Sequence, residues 1–120
     1  MLPRSLRMRS TRDFQQTTRR GVRASRPTLV VHAAYLDDGT RVGFVVSGAL
    51  GNAVTRNRVK RRLRHLAAAH VAETPEKIGV VVRALPRAAT DPAEVPTDFG
   101  SAWHEAMSRL STRSMKQLAR

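Results

Sequence analysis

A chain of 120 residues with 41% hydrophobic and 4% aromatic content can build one small, mostly aliphatic core. It has no cysteine, which excludes disulfides, thiolate metal sites and cysteine nucleophiles, and its net charge of +13 calls for a polyanionic partner. No apolar run approaches the roughly 20 residues that span a bilayer, and the basic start "MLPRSLRMRS" lacks the apolar centre of a signal peptide. A cytoplasmic protein without a membrane partner is therefore expected. The charge is uneven: residues 1–72 hold 15 Lys/Arg against 3 acids, whereas residues 73–120 hold 7 against 6. Such asymmetry reads as one surface, or two, facing an anion.

Residues 1–9 read as a mobile basic arm. "STRDFQQTTRRG" predicts a short helix, with Ser10 as its cap, Asp13 three residues on, and Gly21 at its end. "TLVVHAAYL" (28–36) and "RVGFVVS" (41–47) read as strands, and Asp38-Gly39 between them signals a hairpin. A short extra strand fits around Arg20–Arg26. The stretch after Gly51-Asn52 predicts a helix from about Ala53 to Val71, with that pair as turn and N-cap. "IGVVVRAL" (78–85) is apolar on both faces and so belongs at the centre of a sheet. "PRAATDPAEVPTD" reads as a loop. A last helix from near Thr97 places Phe99, Trp103, Ala106 and Leu110 on one face, and the tail 111–120 is expected to fray. The whole is a single α+β domain, 1–120, with helices packed on one sheet. The link between the 41–47 and 78–85 strands fits a parallel crossover, right-handed by general preference.

The 53–71 helix carries the informative pattern. On a helical wheel Val59, Leu63, Leu66 and His70 form the apolar stripe, with Ala67 at its edge. Asn57, Lys60, Arg61 and Arg64 lie opposite, Arg58 and His65 extend that side, and Arg56 and Arg62 flank the stripe. Like-charged pairs at i+3 and i+4 cost about 1–2.5 kcal/mol together, a cost that phosphates would reverse. A solvated face is the common explanation for a charge run. Against it, no Glu is interleaved, and Arg outnumbers Lys five to one, which suits bidentate phosphate contacts.

"RVGFVVSGALGNAVTRNRVKRRLRH" resembles the signature of the bacterial ribonuclease P protein subunit, with Arg56-Asn57-Arg58 following Gly51-Asn52-Ala53-Val54. "DFQQTTRRG" and "IGVVVRALPRA" resemble the family's first helix and last strand. The resemblance implies an αβββαβα order with a left-handed crossover, against the general preference. It also implies a monomer, one per catalytic RNA, in a complex that removes the 5′ leader of precursor tRNA. The RNA would carry the active site and its Mg²⁺. By this resemblance Arg56, Asn57, Arg58, Lys60, Arg61, Arg62 and Arg64 bind RNA, while Phe14, His32, Arg20 and Arg23 serve a leader cleft. Thr18 and Gly48-Ala49 depart from the family, which often has a second aromatic and basic residues there. Arg19, Arg20, Arg23 and Arg26 are expected to compensate for weaker stacking. Phe14 and His32 would otherwise read as an ordinary core ring and a strand histidine, and Trp103 as core.

Protein-based catalysis is not expected. Asp37-Asp38 suit a turn, the four histidines show no HxH or HxxxH spacing, and no phosphate-loop motif occurs. Two other readings compete. A ribosomal-type structural RNA-binding protein shares the composition. A DNA-binding regulator would need a second short helix at turn spacing and a dimer seam, neither of which is evident.

Overall fold

The computed structural model describes residues 2–37, 39–75 and 77–118. Helix α1 (Thr11–Arg20) is followed by β1 (Val22–Ser25), β2 (Leu29–Tyr35), β3 (Arg41–Val45), α2 (Ala53–Val71) and β4 (Ile78–Ala84). The short α3 (Arg87–Thr90) and the long α4 (Val95–Leu118) complete the chain. The four strands form one mixed sheet in the order β1-β2-β4-β3. β1 with β2 and β2 with β4 are antiparallel, whereas β3 and β4 are parallel. The expected αβββαβα order is thus present, with α3 added, and α2 makes the crossover between the parallel neighbours.

The expected β2–β3 hairpin does not form, because β4 lies between the two strands. β4 is buried at every position from Ile78 to Ala84 except Arg83. At an edge, such a strand would expose apolar faces and an unpaired backbone, so the centre is its favourable place. The segment with the hairpin signal instead spans the end of β4. There Leu36 N–H donates to the Lys77 carbonyl (2.7 Å), and Gly39 takes φ 126°. Asp38, half of that signal, lies outside the described residues. The hairpin that does form joins the predicted extra strand, β1, to β2.

The N-terminal segment is also packed rather than free. Leu2 and Met8 are buried, Arg7 bridges to Val42, and Met8 N–H donates to the Val42 carbonyl (2.8 Å). The proline-rich stretch is helical rather than a loop. It contains α3 and a 3₁₀ turn at Pro92–Glu94, and α4 begins at Val95 with Pro96 in its first turn. Proline suits that position because the N–H it lacks would have no helical partner. α4 continues through most of the expected tail, while residues 119–120 lie outside the described residues.

One face of the sheet carries the core. Leu29, Val31, Ala33, Val42, Val80 and Val82 meet Val59, Leu63 and Ala67 of α2 and Phe99, Ala102, Trp103, Ala106 and Leu110 of α4. Trp103 stacks on Phe99 (5.4 Å between centroids), and its indole N–H donates to Thr74 Oγ1 (3.1 Å). Asp98 ties the start of β2 to the first turn of α4, accepting from Thr28 N–H (3.1 Å) and Thr28 Oγ1 (2.7 Å). The opposite face is covered by α1 together with Met8 and Leu36 around Val81, while His32 and Val45 stay half-exposed and Arg83 exposed.

Candidate nucleic-acid interface

α2 begins as its sequence predicts. Gly51 turns the chain at φ 134°, and Asn52 Oδ1 accepts from Thr55 N–H (2.9 Å). The side chain thereby satisfies one of the first-turn donors that no helical carbonyl reaches. Asn52→Ala is expected to lower stability by about 1 kcal/mol, read as a shift in the urea midpoint with unchanged slope. An unchanged midpoint would show that the cap does not hold the helix.

The buried stripe is Val59, Leu63 and Ala67, with Leu66 and His70 half-buried beside it. This leaves the charged side chains outward, but not as one uniform face. Arg58 and Arg62 lie on the flank towards α3, in a groove they share with Ala88, Ala89 and Pro92. Arg62 donates to the Pro92 carbonyl (2.7 Å), so one predicted RNA contact also closes an internal turn. Asn57 and Arg61 are exposed at the crest. Arg56, Lys60 and Arg64 form the other flank and are half-buried, and the Arg56 Nε–H is buried without a partner. Among the described residues no basic side chain of α2 is paired with a carboxylate.

The second assembly is the open sheet face under α1. Strand register sets Arg23, His32, Val81 and Gly43 in one row across β1, β2, β4 and β3. Side chains in such a row share a face. The next row is Ser25, Val30, Arg83 and Val45. Phe14 is half-buried over β3, and a Cβ on Gly43 would come within 2.5 Å of its Cζ. The glycine is therefore the seat of the ring. Met8, Leu36, Val45 and Val81 complete a small cluster around it. Phe14 thus combines the core role and an accessible side. Thr18, one of the departures noted from the resemblance, donates its hydroxyl to the Phe14 carbonyl (2.8 Å) and has no ring to offer.

The structure brings Phe14, His32 and Arg23 to this face and excludes Arg20. Arg20 lies about 120° from Phe14 around α1, in a depression with Tyr35, Leu110 and Arg113. Arg26 also turns away, pairing with Glu105 (3.1 Å). Arg83 and Gly43 were missed from sequence. Arg83 had a signal, as the one charge in an otherwise apolar strand. Gly43 had none, because its role depends on a ring 29 positions away in the chain.

The pKa of His32 is lowered from 6.5, first by burial and then by the Arg23 and Arg83 guanidiniums. Its folded value lies below its unfolded one, so the contribution to stability is present above pH 6.5 and is lost as pH falls through the folded value. A phosphate near the ring would oppose that shift. Affinity for a single-stranded RNA laid on this face is therefore expected to rise between pH 7 and pH 5.5 with proton uptake, by about two- to fivefold. His32→Ala would remove the rise; an unchanged pH profile in that variant would place the ring away from the bound strand. Among the described residues, no three His, Asp or Glu side chains converge as a metal site.

Comparison with known proteins gives a family and relatives. The family described as Ribonuclease P matches residues 2–107. The ribonuclease P protein component of Kocuria rhizophila is 53% identical over 114 residues, covering 92% of this chain and 100% of its own. That of Nocardioides sp. is 53% identical over 104 residues, covering 82% and 89%. The structure of the Staphylococcus aureus RNase P protein superposes with TM-score 0.75 at 26% identity, covering 84% of this chain and 94% of that one. The basic helix after Gly51-Asn52, the half-open face beneath α1 and these relatives have one common explanation: the chain belongs to the ribonuclease P protein family.

Proposed function

We propose that this protein binds the catalytic RNA of ribonuclease P through α2 and holds the 5′ leader of precursor tRNA on the open sheet face. The RNA, with its Mg²⁺, would then cut the leader to leave the mature 5′ end. The observation that carries this reading is the outward face of α2, whose six basic side chains lack carboxylate partners among the described residues. Unbalanced like charge on one helix is a cost unless an anion meets it. The Phe14 ring, with Arg23 and His32 in one row and Arg83 in the next, supplies what a single strand needs, a stacking surface beside cations.

Among the described residues no three His, Asp or Glu side chains come together; in this proposal the bond-breaking chemistry and its ion stay with the RNA. The protein's contribution is positional. It neutralises backbone charge where RNA and substrate approach each other and fixes the leader relative to the RNA's cleavage site. This reading places one protein with each RNA, in the cytoplasm.

Reconstitution tests it. Mixed with a bacterial ribonuclease P RNA and labelled precursor tRNA at low Mg²⁺, the protein is expected to promote cleavage at the mature 5′ end. Cleavage no better than with RNA alone would overturn the proposal.

A further inference from the structure

A second basic surface lies across the sheet from α2. Three depressions run over the outer side of α1, the exposed edge of β1 and the C-terminal half of α4. The first contains Arg12, Arg19 and Arg20, the second Arg20, Tyr35 and Arg113, and the third Arg23, Arg26, Arg109 and Arg113. The first two depressions share Gln16 and Arg20 and the last two Gly21 and Arg113, so they adjoin along one track, a segmented groove whose largest part holds about 500 Å³. Glu105 is the one acid lining it, and it is already paired with Arg26 and Arg109 (3.1 Å each). Arg12, Arg19, Arg20, Arg23 and Arg113 make no ion pair among the described residues.

The groove is built rather than incidental. Arg109 donates to the Arg23 carbonyl (3.0 Å) and Arg113 to the Arg20 carbonyl (2.7 Å). Arg113 uses one of its five N–H donors in this way and Arg109 a second on Glu105, so both guanidiniums are held beside the junction of α1 and β1 with donors to spare. Tyr35 is 47% exposed and lines the same groove, a large ring open to solvent. Cations along a track with an open ring beside them suit single-stranded RNA better than a duplex.

Arg23 belongs to both surfaces. It ends the row that runs from Gly43 through His32, and it also lines the third depression. A strand lying on the open face reaches this edge after three inter-strand steps, roughly 14 Å. We propose that the groove of Tyr35, Arg20, Arg109 and Arg113 is a second single-strand RNA site, taking the upstream part of the leader as it leaves the open face at Arg23. The inference rests on the leader-binding reading above and extends it to a surface that reading does not use. The ligand's chemistry is the phosphodiester backbone, with one base over Tyr35, so the site is indifferent to sequence.

The test uses the reconstituted holoenzyme and precursors whose leaders are shortened one nucleotide at a time. With the unaltered protein, affinity is expected to rise once as the leader fills the open face and again as it passes Arg23. The R109Q/R113Q variant should lose the second rise, about tenfold, with a salt slope lower by about two for long leaders. Short leaders should bind as before. Arg109→Lys/Arg113→Lys should restore the second rise if charge is what matters, and Tyr35→Ala should reduce it. Equal loss for long and short leaders, or no loss, overturns the inference. Weakened assembly with the catalytic RNA alone also overturns it, by assigning the groove to that RNA. Normal cleavage of short-leader precursors without a second rise sinks this inference while the proposed function stands. Absence of short-leader cleavage sinks both.

Discussion

Replacing Lys60 and Arg61 together with glutamate is expected to make the protein more stable and to weaken its RNA binding. The repelling pairs 56/60, 58/61, 60/64 and 61/64 become attractive, a swing of about 2 kcal/mol in stability. For a domain of this size that raises the melting temperature by roughly 6–12 °C. The same change removes two cations from the outward face of α2 and adds two anions. Affinity for the ribonuclease P RNA should fall about 100-fold or more, and the salt slope should drop by about two. Opposite signs in the two measurements are the diagnostic outcome, because they separate a helix charged for its partner from one charged for its fold. RNA affinity within about twofold of the unaltered protein would mean that this face does not meet RNA. A lower melting temperature would mean that Lys60 and Arg61 support the fold.

The second large effect concerns the seat of Phe14. Phe14→Ala removes the ring and is expected to weaken leader binding by about 1–3 kcal/mol, between five- and 150-fold. Gly43→Ala leaves the ring but puts a methyl group 2.5 Å from its Cζ, far inside van der Waals contact. The ring must move, since the other choice is to displace β3 backbone paired with β4. Leader affinity should then fall in Gly43→Ala to a value near that of Phe14→Ala. The double variant should be no worse than Phe14→Ala alone, a coupling of the whole effect. Additive losses would show that Gly43 acts on the leader by another route. Unchanged leader binding in Phe14→Ala would leave the ring as a core residue.

Much of the local structure was legible from the chain. The cap of α1 at Ser10, the cap of α2 at Asn52, the extent of α2 and the buried face of α4 each follow from neighbouring residues. Helical periodicity and capping are short-range effects, complete within a few turns, so a linear pattern specifies them. The outward charge of α2 was legible for the same reason. The apolar pattern of β4 also identified it as a central strand.

Strand partnership was not legible in the same way. The turn signal between β2 and β3 is real, yet the sheet places β4 between them, because burying a strand apolar on both faces outweighs a local hairpin. The same limit applied to Arg20 and Arg23, three residues apart and both expected in the cleft. Rotation around α1 sends Arg20 to one side, while strand register sends Arg23 to the other. Gly43 under Phe14, Arg83 beside His32 and the groove between β1 and α4 arise from contacts between distant segments.

By itself, then, the chain determined its helices, its caps, the cationic side of α2 and the likeness to ribonuclease P proteins, since each is written in residues within a few turns of one another. Only the folded sheet decided which strands are neighbours, which arginines share a surface and where the Phe14 ring rests. Those outcomes depend on competition for buried positions among segments far apart in sequence, and no local pattern records how that competition ends.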